Sequence, residues 1–303
     1  MSGILIIDTN SVGFAAHEGR KLTAGGQETQ AIFGTLRTIR NLIVSHRDHK
    51  VICLWDGRSW RKDELGTYKG TRDDDPKKLA IRSAYKAQRP FIAKALTSLA
   101  VTQMMASNME ADDLAGILWR KFRAERRPIK MITRDGDWLQ FVGSGVVSYD
   151  TYKDLTVSLG NFEQVTGYRN ADAFVQGKAL RGDVGDNIGG VGGIGDVGAK
   201  QILAAFGTVE DFIAAVEGGD RSCKKKWLDF VDNATGGRDI FQRNMRLMDL
   251  RRQDLPKPER LTITKGAVDR ARFATLCAEL AFHSILADLP KWVGPFEHER
   301  IAA

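Results

Sequence analysis

The apolar residues of this chain first gather into short unbroken runs. Ile4-Leu5-Ile6-Ile7 stops at Asp8, and Val51-Ile52-Cys53-Leu54-Trp55 stops at Asp56. Both have the length and continuity of strands buried on two faces. Between them Ile32, Leu36, Ile39 and Ile43 recur at helical spacing over residues 28 to 46, which predicts an amphipathic helix. Strand, helix, strand is a βαβ unit, implying parallel strands and a right-handed crossover. A further helix starts near Glu110, with Leu114, Leu118 and Phe122 on its core face. A third strand follows at Ile129-Lys130-Met131-Ile132 and a fourth at 146 to 149. The first half therefore reads as α/β, a mainly parallel sheet flanked by helices.

From about residue 170 the pattern turns helical. One helix spans 171 to 181, and a glycine-dense hairpin, Gly189 to Gly198, leads to another at Lys200 to Phe206. Thr208-Val-Glu-Asp211 has the form of a capping box opening a third helix. Pro256-Lys-Pro258 marks a loop, and Phe273 to Leu289 reads as a final apolar helix. Two regions result: an α/β core over 1–170, and a helical region over 171–303 whose helix, hairpin and helix lie at about 171–206.

Residues 58 to 89 fit neither texture. They hold ten Lys/Arg and five acids, a large part of the chain's net charge of +7, and their apolar periodicity is poor. They predict a basic, partly helical excursion from the core, at about 58–108. A basic balance suits a polyanionic partner such as nucleic acid. Cys53, Cys223 and Cys277 form no CxxC pair, so neither a zinc ribbon nor a disulfide framework is expected, and a reducing cytoplasm fits. His17, His46, His49, His283 and His298 form no HxH or HExxH pattern. No signal peptide or membrane span is read.

The chemistry lies in carboxylates. Ligands of a parallel α/β sheet bind beyond the carboxyl ends of its strands, and three strands here end in acids: Asp8, Asp56, and Asp135 with Asp137. Glu110, Asp112 and Asp113 open a helix, with Ser107-x-x-Glu110 a candidate capping box, and Asp183-x-x-Asp186 precedes the glycine hairpin. Each cluster alone has an ordinary structural explanation, as a turn or helix cap. Together they would repel strongly unless cations held them. Hard oxygen ligands suit Mg²⁺ or Mn²⁺. Two such ions about 4 Å apart would clamp the attacking and leaving oxygens of a phosphodiester. Gly190, Gly193 and Gly195 of the hairpin would let backbone approach a phosphate, and Lys200 follows in the next helix. A flexible linker or a nucleotide-binding glycine loop is the alternative for that segment.

These motifs resemble the 5′-nuclease superfamily: flap endonucleases, bacteriophage 5′→3′ exonucleases and the N-terminal domain of bacterial DNA polymerase I. The matching segments are IIDTN at Asp8, WDG at Asp56, YKGTR at Tyr68 to Arg72, EADD at Glu110 to Asp113, TRDGDW at Asp135 and Asp137, and GDVGDNIGGVGGIG from Gly182. The resemblance implies a PIN-like nuclease core, a helical arch over 58–108 and a helix-hairpin-helix. One metal ion would sit among Asp8, Asp56, Glu110, Asp112 and Asp113. A second would sit with Asp135, Asp137, Asp183 and Asp186. Lys69 would neutralise the scissile phosphate with Arg72 behind it, and Tyr68 would stack on a terminal base. The implied partner is DNA with a 5′ end or flap, with RNA in RNA–DNA hybrids a further candidate, acted on by a monomer in the cytoplasm, a host's if the chain is phage-encoded. Family hairpins often hold K⁺ on backbone carbonyls. Gly189 and Gly192 stand where prolines are common, and Val197 where a lysine is common, so a K⁺ site stays open. Thr9 replaces a usual glycine. A non-catalytic DNA-structure binder and a PIN-type ribonuclease are the competing readings.

Overall fold

The computed structural model describes residues 2–298, so the ends of both predicted regions, residue 1 and residues 299–303, lie outside the described residues. A seven-stranded sheet forms the centre. In spatial order its strands are Thr262–Thr264, Thr102–Met105, His49–Trp55, Gly3–Asp8, Ile129–Ile132, Val146–Asp150 and Leu155–Val157. The inner five are parallel, and the two edge strands are antiparallel. Alternate residues of the central strand enter different cores. Leu5 and Ile7 pack with Val51, Cys53, Leu36 and Ile39, while Ile4 and Ile6 pack with Ile52, Leu54, Leu114 and Leu118. Burial on both faces is why these strands read as unbroken apolar runs rather than alternating ones.

Four helices fix this arrangement. Thr9–His17, Gln30–Ser45 and Pro76–Ser98 cover one face, and Ala111–Ala124 covers the other. The predicted excursion is shorter than expected. The long helix Pro76–Ser98 begins exposed, but Tyr85, Ile92, Ala95 and Leu96 are buried, and Thr102–Met105 is a strand of the sheet. Tyr68 and Leu65 are packed into a small cluster with Ile188 and Leu247, and the exposed part of the excursion lies beyond them, from about residue 70 to 84. Asp75 caps the helix by accepting from the N–H of Lys77, with Pro76 at its first position.

The helical region is also more mixed than predicted. Ala171–Arg181 and Asp196–Phe206 flank a two-stranded ladder, Gly182–Asp183 with Ile188–Gly189, and share a core with Val209–Glu217. The second helix starts at Asp196, four residues before the expected Lys200. Thr208 does cap its helix, accepting from the N–H of Asp211 at 3.0 Å. Thr262–Thr264 leaves this region to become a sheet edge. The final apolar segment is broken: Arg270–Glu279 ends in a turn with Ala281 at φ 54°, before His283–Leu286 and Leu289–His298. Phe273, Leu276, Val293 and Phe296 return to the core of the first half. Among the described residues no helix is long and apolar enough to cross a membrane.

Candidate active site

The register of the sheet decides which acids meet. Asp8 lies opposite Leu54 and Ile7 opposite Ile132, so Asp8, Asp56 and Asp135 emerge at one end of three adjacent strands. Asp8 and Asp135 cap the turns they start, while Asp56 is held from other elements. Asp8 accepts from Ser11 N–H at 3.0 Å and Thr133 Oγ1 at 3.1 Å. Asp56 accepts from Asn10 Nδ2 at 2.7 Å and from Ala111 N–H at 2.8 Å. Asp135 accepts from Asp137 N–H at 2.9 Å. The capping role and the convergence coexist, because a cap uses part of a carboxylate's accepting capacity.

A cleft of about 460 Å³ opens on these groups, bordered by Asp8, Asp56, Asp112, Asp135, Lys69 and Arg72. Asp112 accepts from Trp138 Nε1 at 2.7 Å and also borders the adjoining recess with Asp137, Asp183 and Asp186. Burial and mutual repulsion leave this cluster short of positive charge. Burial, then Asp56 and Asp135, push the Asp8 carboxyl up to about 7. Burial and Asp137 push Asp135 up to about 6. Asp112 rises well above the usual carboxylate range through burial and then Asp135 and Glu110, and Asp56 rises through burial.

Cations occupy the rest. Lys69 bonds Glu110 and lies 3.8 Å from Asp186, and Arg72 donates to Asp186 at 2.7 Å. Burial alone would raise Glu110, but Lys69 and Arg61 bring it down to about 2. The backbone N–H of Lys69 donates to the carbonyl of Asp186 at 2.9 Å, tying the base of the excursion to the hairpin region. Lys178, which sequence reasoning missed, bonds Asp137 and lies 2.8 Å from Asp183. Nothing in the helical pattern around Lys178 marked it. Arg61 was missed for the same reason. Among the described residues no three acidic, histidine or cysteine side chains form a ready-made ion cage; the Lys69 amine joins Glu110 to Asp186, and the Lys178 amine joins Asp137 to Asp183.

Three expected roles change. Asp113 is fully buried, and both its oxygens accept from Arg61, at 2.8 and 3.0 Å. It also accepts from Glu110 N–H at 3.1 Å, closing a capping box in which Glu110, not Ser107, is the cap. With its accepting positions filled by the fold, Asp113 is removed from the candidate metal ligands. Tyr68 is only 3% exposed, and its hydroxyl, with one proton to share between them, lies 2.8 Å from a carboxylate oxygen of Glu110 and 3.0 Å from one of Asp186. It braces two acids and offers no open face to a base. Gly190 packs inward: a Cβ there would lie 2.2 Å from the carbonyl oxygen of Arg181. It permits helix and hairpin to close up rather than backbone to reach a phosphate. Gly193 and Gly195 are exposed. Lys200 is half-exposed and paired with Asp196 at 2.8 Å.

The sequence model of the 5′-3′ exonuclease N-terminal resolvase-like domain matches residues 3–167, which contain Asp8, Asp56, Lys69, Glu110 and Asp135. DNA polymerase I of Bacillus caldotenax is 26% identical over 295 residues, 93% of this chain and 32% of the relative. The thermostable DNA polymerase I of Thermus aquaticus is 24% identical over 91% of this chain and 33% of its own length. The chain thus spans about a third of these relatives. The bacteriophage T5 flap endonuclease, solved in a pseudo-enzyme-product complex with DNA and metal ions, superposes with a TM-score of 0.67 at 20% identity, over 97% of this chain and 99% of that one. Its fold is the fold described above. A domain match over more than half of the chain, on the segments that carry the clustered acids, places this protein in the 5′-3′ exonuclease family.

Proposed function

We propose that this chain is a divalent-metal-dependent 5′-nuclease that hydrolyses DNA phosphodiesters at or near 5′ ends or flaps. One observation carries the reading: Asp8, Asp56, Asp112 and Asp135 converge, close enough to repel one another, on a cleft that Lys69 and Arg72 also border. The donor set is all oxygen, which fits Mg²⁺ or Mn²⁺. Carboxylates held partly protonated for want of a counter-charge are groups that a dication would relieve. Asp8, Asp56, Glu110, Asp112 and Asp135 would hold one ion, and Asp137, Asp183 and Asp186 a second. Support is stronger for the first, since Lys178 already compensates Asp137 and Asp183. When bound, such ions supply charge stabilisation of the transferring phosphoryl group and a nucleophilic water. The similarity to a flap endonuclease solved with DNA and metal ions supports the same assignment.

The chain's own residues have separable tasks. Lys69 and Arg72 would neutralise the scissile phosphate, moving from Glu110 and Asp186 as those acids take a cation. Tyr68 would hold Glu110 and Asp186 in place through its hydroxyl. Residues 1–170 would carry the hydrolysis. The helices around the glycine hairpin, in 171–303, would grip duplex backbone through Gly193, Gly195 and Lys200 without reading bases. A 5′-labelled flap, a nicked duplex and a single strand, each incubated with Mg²⁺ and with EDTA, test this. Short 5′ products with Mg²⁺ alone are expected. Equal cleavage after exhaustive chelation, or tight flap binding without cleavage under any metal, overturns the proposal; the second result would leave a DNA-structure binder.

A further inference from the structure

The rim of the cleft carries an arrangement that hydrolysis does not use. Tyr152 is 67% exposed, an unusual state for a ring that could be covered. The guanidinium carbon of Arg134 lies 4.3 Å from its centroid. Arg134 itself borders the cleft beside Asp135; its backbone N–H donates to Ser11 Oγ at 2.9 Å, and Glu18 holds its guanidinium at 2.8 Å. One side chain therefore joins the cleft to an open aromatic face. Beyond Tyr152 the surface continues as a groove of about 470 Å³ against the helices Thr9–His17 and Gln30–Ser45. Small residues, Ala15, Ala16 and Gly34, line it together with Arg20 and Arg37, both exposed.

We propose that Tyr152, fixed by Arg134, receives an unpaired nucleobase of single-stranded DNA running from the cleft, and that Arg20 and Arg37 take the phosphates that follow. The proposal rests on the nuclease reading for its substrate. The chemistry is that of single-strand binding: an aromatic ring accepts any base by its π-face, and flanking arginines follow the backbone. A base pair inside a duplex has both faces covered by its neighbours and cannot use the ring, so along a strand the site favours unpaired bases. Arg134, which borders the cleft, and Tyr152, which borders the groove, are in contact and so link the two, and the groove's exposed arginines complement a polyanion.

The test is binding in Ca²⁺, without turnover, to a duplex bearing a single-stranded overhang and to a matched blunt duplex, with 2-aminopurine at successive overhang positions. Wild type should quench one position strongly. Tyr152→Ala should abolish that quench and weaken overhang binding roughly ten-fold, as expected for one lost base stack. It should leave the blunt duplex and the thermal midpoint unchanged. Tyr152→Phe should behave as wild type, because the ring and not the hydroxyl is used. Equal losses on both DNAs, no loss on either, or a Phe variant as weak as the Ala variant would each overturn the proposal. These binding results stand apart from the nuclease reading, which fails instead if wild type cleaves no 5′-ended DNA with Mg²⁺.

Discussion

Lys69 brings its amine into the carboxylate cluster from a left-handed backbone, φ 54°, beside Glu110 and Asp186. Such a conformation is uncommon for a residue with a Cβ and is worth a functional explanation. The amine is already desolvated and paired, so it can act on a substrate phosphate only by exchanging partners. We therefore expect Lys69→Ala to lower the single-turnover cleavage rate by roughly a hundred-fold or more, while DNA affinity changes little, since many other cations hold the backbone. Reduced binding with an unchanged rate would make Lys69 a grip residue instead. Asp113 gives the opposite expectation. Its pair with Arg61 is buried, so Asp113→Asn leaves the guanidinium with only the longer contact to Glu110 as a charge partner, at a cost approaching the roughly 3 kcal/mol of a broken buried pair. Denaturant unfolding should register that loss, and the folded fraction should cleave at the wild-type rate. A fully stable but inactive Asp113→Asn protein would return this residue to the metal site.

At the scale of elements, the glycine hairpin is a packing device before it is a binding one. Gly182 sits at φ 79°, where side chains are strained, and Gly190 meets the backbone of Arg181 and Gly182. Gly190→Ala must separate the helix Ala171–Arg181 from the turn, because the clash is with backbone that no rotamer can relieve. A lowered thermal midpoint is expected, by an amount equivalent to about 1–3 kcal/mol, with a parallel loss of duplex affinity. Unchanged stability would show that the turn relaxes freely. What the sequence revealed divides along the same physical line. Strands buried on both faces, such as Gly3–Asp8 and His49–Trp55, announce themselves as apolar runs ending in acids. Short strands near the margin of the sheet do not: Thr102–Met105, second from the edge, and the edge strand Thr262–Thr264 hold no continuous apolar run, so only their pairing makes them strands. The acids of the cleft were readable because strand ends and motif spacing placed them. Arg61 was not, because it reaches Asp113 across 52 positions of the chain, and Lys178 was not, because Asp137 lies 41 positions away and Asp183 comes within its reach only through the turn after Arg181. Tyr68 lay in a recognised motif, yet its burial depends on Glu110 and Asp186 closing over it from other elements.

For the whole molecule, the clustered charge should make stability depend jointly on pH and metal. In the metal-free protein the folded-state pKa of Asp8 is raised to about 7 and that of Asp135 to about 6, with Asp56 and Asp112 raised as well. A raised carboxyl binds its proton more tightly folded than unfolded. Its stabilising contribution is complete below the unfolded value of 3.8 and is lost as pH rises through the folded values. Between pH 4 and pH 7 these four groups should therefore lower the thermal midpoint of the chelated protein as pH increases. Glu110 and Asp183, whose pKa values are lowered, act in the reverse sense, but only below that window. Mg²⁺ requires the deprotonated ligands, so its binding competes with the same protons. It stabilises by mass action in proportion to its affinity for the folded state. The upward shift in thermal midpoint on adding Mg²⁺ should accordingly be larger at about pH 8 than at about pH 5.5. Four melting curves, with and without Mg²⁺ at the two pH values, are sufficient. Asp8→Asn should shrink both the pH slope and the Mg²⁺ shift, because it removes the group nearest the centre of the repulsion. A Mg²⁺ shift that is absent, or equal at both pH values, would mean that the clustered carboxylates are held by the lysines and arginines alone, and the ion would have to be sought elsewhere on the chain.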